Sequence, residues 1–272
     1  ANAEQDKAMI AQLLGLPTES FLIEQATVAD VEAIHEVREF IANNLAQCHH
    51  EKLARIYKEN DGNGEFSAEP DAIARRALKN LALTYLLRTG DEDWIQRCYW
   101  QFEGAGNMTD QLAALRCLVN CPAESARDLA DKALTEFFDS WQHEALVVDQ
   151  WFSVQATCML PGALTRVKEL LQHPHFTIKN PNKVRSLIGA FCGQNHINFH
   201  SADGAGYEFL ADQVLALDKL NPQIASRLLN PLTRWKKFDP ARQSLMQVQL
   251  QRIKNNGDLS SDVYEVVQKS SV

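Results

Sequence analysis

Apolar positions recur at intervals of three and four along most of the chain. Within residues 71–87, Ile73, Ala77, Leu78, Leu81 and Tyr85 make one stripe, the spacing of a helix with one buried face. Leu112, Leu115 and Val119 repeat it, as do Leu129, Ala133, Phe137 and Trp141, and again Val184, Leu187, Ile188 and Phe191. A half-buried strand would instead alternate every second residue. The best such run, Phe176-Thr177-Ile178, is too short to build a sheet. The pattern predicts an all-α protein.

Breaks punctuate the helices at steps near 20 residues: Glu69-Pro70, Thr89-Gly90-Asp91, Gly104-Ala105-Gly106-Asn107, Cys121-Pro122, Leu160-Pro161-Gly162, Asn180-Pro181, Asp203-Gly204, Asn221-Pro222 and Asp239-Pro240. One helix and one turn fill each step, so an α-solenoid or superhelix of antiparallel helix pairs, HEAT- or armadillo-like, is expected rather than a four-helix bundle. The segment starting Asn180-Pro181-Asn182 and running to Ile188 echoes the one starting Asn221-Pro222-Gln223, 41 residues later. Helix-pair repeats have periods of ~40–47 residues. Asn accepts from free N–H groups at a helix start, and Pro at the first helical position gives up only an N–H with no partner. Asn-Pro is also a common helix opener, so the echo fits a repeat or two similar caps. Asp61-Gly62-Asn63-Gly64 reads as a flexible joint. The expected organisation is one helical domain, residues 1–272, with an N-terminal section at 1–65 and a helix-pair array at 66–272.

The 272 residues suffice for a large core, and 45% hydrophobic with 23% charged residues is ordinary globular composition. No run approaches the ~20 apolar residues of a membrane span, and Ala1–Lys7 is polar, unlike a secretory signal. A start at Ala rather than Met fits a piece of a longer chain. The net charge of -8, without a basic stripe, argues against a nucleic-acid partner; Arg234-Trp235-Lys236-Lys237 reads as a solvated helix end. Six cysteines with no C-x-x-C pair read as reduced thiols, hence a cytoplasmic setting.

Candidate chemistry is sparse. His196 and His200 are four apart with Asp203 following, as metal ligands on one helical turn would be. Yet the segment reads as a loop, with Ile197 where a zinc protease carries its Glu, and surface or capping histidines are the better account. His35-Glu36, His50-Glu51 and His143-Glu144 are followed by Glu39, Ala54 and Val147 where H-E-x-x-H needs its second His. Cys117 and Cys121 read as small buried hydrophobes. Gly204-Ala205-Gly206 lacks the Lys-Ser/Thr of a phosphate loop and reads as a turn. Trp94/Trp100 and Trp141/Trp151 read as core. Neither a catalytic residue nor a metal ligand is assigned. Arg185 and Arg227 stand at nearly echoing positions in the two Asn-Pro helices, five and six residues after Asn180 and Asn221. Equivalent solenoid helices line one face, where two planar guanidinium forks could grip a carboxylate or a peptide carbonyl. A structural ion pair or a solvated helix surface is the competing account.

Several longer motifs, in order, carry a resemblance: Ala74-Arg75-Arg76-Ala77-Leu78-Lys79-Asn80; Asn107-Met108-Thr109-Asp110-Gln111; Trp151-Phe152-Ser153-Val154-Gln155; His175-Phe176-Thr177 with Asn180 to Phe191; Phe199-His200 with Asp203-Gly204-Ala205-Gly206-Tyr207; Asn221 to Leu228; and Leu259 to Glu265. Together they resemble the C-terminal helical domain of the bacterial aminopeptidase N family, zinc alanyl aminopeptidases of the gluzincin type. The match is strong over about 68–272 and weak before it. The resemblance implies a non-catalytic domain that closes over the active site of a zinc-dependent aminopeptidase acting on short peptides. The zinc, with H-E-x-x-H and G-A-M-E-N, would lie in the catalytic domain of the same polypeptide, and neither motif is in this sequence. It also implies a cavity-lining, substrate-contacting role for Arg185 and Arg227, no cofactor in this chain, no peptidase activity of the chain alone and a monomer. The alternative is a free-standing HEAT-like protein-binding scaffold; an independent metalloenzyme built on His196 and His200 is a third reading.

Overall fold

The computed structural model describes residues 6–62 and 66–270. Asn63 and Gly64 of the expected joint lie outside them. The helices are α1 (Lys7–Leu14), α2 (Glu19–Gln25), α3 (Val31–Cys48), α4 (His50–Asn60), α5 (Pro70–Leu87) and α6 (Glu92–Gly104). Then come α7 (Met108–Val119), α8 (Arg127–Trp141), α9 (Ala145–Ala156), α10 (Ala163–Leu170), α11 (Pro181–Val184), α12 (Ala190–Gln194) and α13 (His196–Phe199). The last are α14 (Ala205–Asp218), α15 (Pro222–Leu228), α16 (Asn230–Thr233), α17 (Pro240–Lys254) and α18 (Ser261–Ser270). Among the described residues no strand forms beyond one isolated bridge, Ala29 with Phe238. Phe176-Thr177-Ile178 is turn and coil. The all-α class is the one expected. Among the described residues no helix is long and apolar enough to cross a membrane.

Sequence breaks become caps. Asn107 accepts from the Asp110 amide at 2.9 Å, Asn180 from Asn182 at 2.9 Å and Asn221 from Ile224 at 3.1 Å. Pro70, Pro181, Pro222 and Pro240 occupy first-turn positions whose N–H would have had no helical partner.

The chain divides into two compact units. One comprises residues 1–17 and 36–140, the other 18–35 and 141–272. In the first, α5 packs against α1, α4, α6 and α7. Leu83 and Leu86 of α5 are buried, as are Cys98, Phe102, Leu115, Leu118 and Phe137 of the same unit. The stripe expected on α5 is shifted: Ile73 is 52% exposed, whereas Ala72, Ala74 and Ala82 are buried. Small residues let α5 sit close to neighbours on more than one side, which a single-stripe reading does not anticipate. Trp94 is buried but Trp100 is 56% exposed, so the expectation of two core tryptophans on α6 fails for Trp100.

In the second unit α9 packs on α10 and on the turn 185–189, and α14 packs on α15 and α17. Phe152, Leu187, Ile188, Phe191, Phe199, Tyr207, Leu210, Met246 and Ile253 are among the buried residues. Residues 18–35 join this unit although more than a hundred residues separate them from the rest of it. The Ala29 amide donates to the Lys237 carbonyl at 2.7 Å, and Lys237 Nζ to the Glu24 carbonyl at 3.0 Å.

Gly204, at φ +73°, takes the left-handed turn before α14. Gly206 lies against α13, where an added Cβ would fall 2.1 Å from the Phe199 carbonyl oxygen. Gly206→Ala is therefore expected to lower stability by about 3 kcal/mol. Gly193→Ala, a helical site with nothing within 4 Å, should leave stability unchanged or raise it slightly. Urea unfolding of the two variants measures both.

Candidate functional site

Arg185 and Arg227 fall in the second unit, both exposed. Arg185 opens a π-helical turn, Arg185–Gly189, between α11 and α12. A π turn widens the helix and frees carbonyls from the ordinary ladder. Ser153 on α9 donates its hydroxyl to the Ser186 carbonyl at 3.0 Å. The Arg185 guanidinium donates to Asn182 Oδ1 at 3.1 Å, so it is lightly tethered one turn back. Arg227 lies in the last turn of α15. Its guanidinium has no hydrogen bond or ion pair among the described residues. Their surroundings differ: the Arg185 turn packs on α9 to α12, and α15 packs on α14, α16 and α18. The 41-residue echo therefore holds at the caps, while beyond them one helix continues through a π turn and the other stops at Leu228.

Beneath Arg185 lies a group that its sequence pattern did not single out. Lys183 is buried; its Nζ lies 2.8 Å from Asp149 Oδ1 and donates to the Ala145 carbonyl at 3.1 Å. The same ammonium sits 5.4 Å over the Phe152 ring, a favourable arrangement for a desolvated cation. The His173 ring packs 5.1 Å from Trp151 and 5.8 Å from Phe152. Burial, then the charges of His175 and Lys183, hold His173 below its ordinary pKa.

The motifs at 74–80 and 107–111 meet in the first unit. Asp110 accepts from Lys79 Nζ at 2.9 Å, from Asn80 at 2.8 Å and from the Asn107 side chain at 3.1 Å. Gln101 joins by donating to Asn80 at 2.9 Å and to the Asp110 carbonyl at 3.1 Å. Burial opposes the charge on Asp110, but these donors outweigh it and hold the carboxyl below its ordinary 3.8. A neighbouring polar cleft of about 420 Å³ is lined by Tyr57, Asp61, Arg97, Trp100 and Gln101.

His196 and His200 correct the sequence reading twice. His196 starts the short helix α13 instead of standing in a loop, and both rings are buried rather than superficial. His196 Nε2 lies 2.8 Å from Ser20 Oγ, and His200 Nδ1 lies 2.9 Å from the Tyr207 hydroxyl. Among the described residues no group of three or more His, Cys, Asp or Glu is placed to hold a metal ion. Cys98, Cys117 and Cys121 are buried free thiols.

These helix pairs with buried polar joints define an ARM-repeat type of domain. The whole chain, residues 1–272, matches the family described as "Domain of unknown function (DUF3458_C) ARM repeats", and the chain belongs to that family. It is 40% identical over 265 residues to aminopeptidase N of Escherichia coli, covering 97% of this chain and 30% of that protein. It is 38% identical over 268 residues to aminopeptidase N of Caulobacter vibrioides, with 97% and 30% covered. A crystal structure of Legionella pneumophila aminopeptidase A in complex with aspartic acid superposes with a TM-score of 0.89 at 33% identity, over 99% of this chain and 32% of that one. The chain thus spans about 30% of the length of the curated relatives it matches, corresponding to their C-terminal part.

Lys79→Met leaves the Asp110 carboxylate buried without its cation, and a loss of about 3 kcal/mol is expected at pH 7. Because the folded pKa of Asp110 is depressed, its contribution is complete above its ordinary value of 3.8 and is lost as the pH falls through the lower folded value. The gap between variant and wild type should narrow below pH 3.8. Chemical unfolding at pH 7 and pH 3 checks both parts.

Proposed function

We propose that this chain is the non-catalytic C-terminal domain of a zinc-dependent aminopeptidase that removes N-terminal residues from short peptides. The observation that carries the reading is the alignment of nearly the whole chain with aminopeptidase N, at 40% identity to the E. coli protein. In this reading residues 1–272 work as one domain, an N-terminal section at 1–65 leading into an array at 66–272. Its partner is the catalytic domain of the same polypeptide, the protein is a cytoplasmic monomer, and the domain encloses the cavity over the active site. Enclosure excludes bulk water and large proteins, so that short peptides reach the reacting centre.

The described residues offer no ligand set that fits zinc. The imidazoles of highest interest, His196 and His200, are engaged with Ser20 and Tyr207. In this reading the metal belongs to the catalytic domain of the same polypeptide.

Arg185 and Arg227 are proposed to line the cavity and orient the peptide beyond its first residue. Both guanidinium groups are exposed, and Arg227 is unpaired among the described residues, so each can donate to an incoming carboxylate or carbonyl. That is catalysis by positioning, with no proton transferred. In the full-length protein, Arg185→Ala or Arg227→Ala is expected to lower kcat/KM for tri- and tetrapeptides by about tenfold, the scale of one charged hydrogen bond. Single-residue anilides, which end before the arginines, should be hydrolysed with nearly unchanged kcat/KM. Equal losses on both substrate types, or none on either, would remove the positioning role. A full-length protein without aminopeptidase activity on either substrate would remove the enzymatic reading.

A further inference from the structure

We propose that His196 and His200 form a proton-sensitive latch that holds α2 on the second unit when neutral and loosens it when the pair takes up a proton. The inference stands independently of the aminopeptidase reading.

The latch is a pair of buried rings stacked at 5.9 Å between centroids and 15° between planes. Ser20 on α2 meets His196 at Nε2, and the opposite nitrogen, Nδ1, is buried with no hydrogen-bond partner. A neutral imidazole needs one donor and one acceptor contact, and Ser20 can serve Nε2 in either role. A protonated ring carries N–H at both nitrogens, and Nδ1–H then points at no acceptor. Water must reach it, or the ring must move, and α2 lies over it through Ser20. His200 doubles the effect, because its ring faces that of His196 while its Nδ1 is committed to Tyr207.

The surrounding charges come from every packed element. Glu19 on α2 favours a proton on His196, although its Oε1 is engaged by His35 Nδ1 at 2.8 Å. Arg234 opposes protonation of both rings, and Arg242 that of His200, while Asp239 favours it. Glu32 pairs with Arg242. Burial is the largest influence and sets both rings below their ordinary value of 6.5, His200 well below it. A depressed histidine contributes stability that is whole above 6.5 and is lost as the pH falls below it toward the folded value. The other ties of residues 18–35 include the Glu19–His35 pair within the segment, Lys237 Nζ on the Glu24 carbonyl, and main-chain contacts. The amide of Ala29 on Lys237 is one of them. Loosening is expected at α2, the helix that Ser20 joins to His196.

Hydrogen–deuterium exchange of the full chain between pH 7.5 and 5.5, corrected for intrinsic rates, tests the latch. Protection of Glu19–Gln25 should fall at least tenfold, with Ala29 and α14 unchanged. In His196→Gln, where an amide can still meet Ser20 but takes up no proton, the fall should shrink to less than threefold. Protection of α2 that stays constant with pH, or falls in parallel with α14, or falls equally in His196→Gln, overturns the proposal. Should that variant not fold, the imidazole C–H resonances of the wild type decide: two histidines titrating below 6.5 in step with the loss of α2 protection support the latch. Their titration at or above 6.5 overturns it.

Discussion

Arg242 is nine-tenths buried, and each of its three guanidinium nitrogens donates to a protein group. Nε donates to the His200 carbonyl at 2.9 Å, one Nη to Asp239 at 2.8 Å and the other to Glu32. A guanidinium taken out of water is tolerable only when its forked donors are matched. The three acceptors it finds belong to the end of α13, the cap of α17 and the start of α3. Those segments lie far apart in sequence, so this one cation fixes how three chain turns meet in the second unit. Asp239 serves twice, capping α17 through the Ala241 and Arg242 amides and pairing with the guanidinium. Burial works against its charge, but the contacts to Arg242 outweigh that and keep its carboxyl below its ordinary value.

The same solution recurs with lysine. Lys79 with Asp110 in the first unit and Lys183 with Asp149 in the second are buried pairs that join α5 to α7 and α11 to α9. Helices pack along apolar stripes, but a stripe alone permits sliding by a turn. A buried cation that must meet one carboxylate does not. Whether such pairs add net stability over an apolar substitute is a separate matter; their geometric effect is to make one register cheaper than its neighbours. The motifs at 74–80, 107–111 and 180–191 contain Lys79, Asp110 and Lys183, and the structure gives these three a bracing role.

Helix content and most helix starts were legible in the sequence, because both are local. The period of three and four marks a buried face, and Asn107, Asn180 and Asn221 cap the helices they precede. What periodicity does not encode is the partner. Ile73 fits the α5 stripe as well as Ala74 does, yet the neighbours cover Ala74 and leave Ile73 open. His196 looked superficial because its cover, Ser20, meets it only after folding brings residues 18–35 back to the second unit, while the cover of His200, Tyr207, stands seven residues on in the next helix. The π turn at Arg185 has a local correlate in Gly189, but its brace, the Ser153 hydroxyl, comes from another helix.

Against this background the two arginines carry different weight. A surface guanidinium in water needs no protein partner, so the absence of one beside Arg227 is by itself compatible with a plain solvated helix end. Arg185 differs in how its position is held. Its turn is anchored by Ser153, its preceding residues by the buried Lys183 and by the Asn180 cap, and Leu187 and Ile188 beneath it are fully buried. A donor that must meet a ligand with useful geometry is best placed on a backbone that cannot drift. The scaffold under Arg185 meets that condition through contacts independent of the arginine itself. Removing its side chain should therefore leave the fold intact, so a selective loss on longer peptides would report on the ligand rather than on the domain.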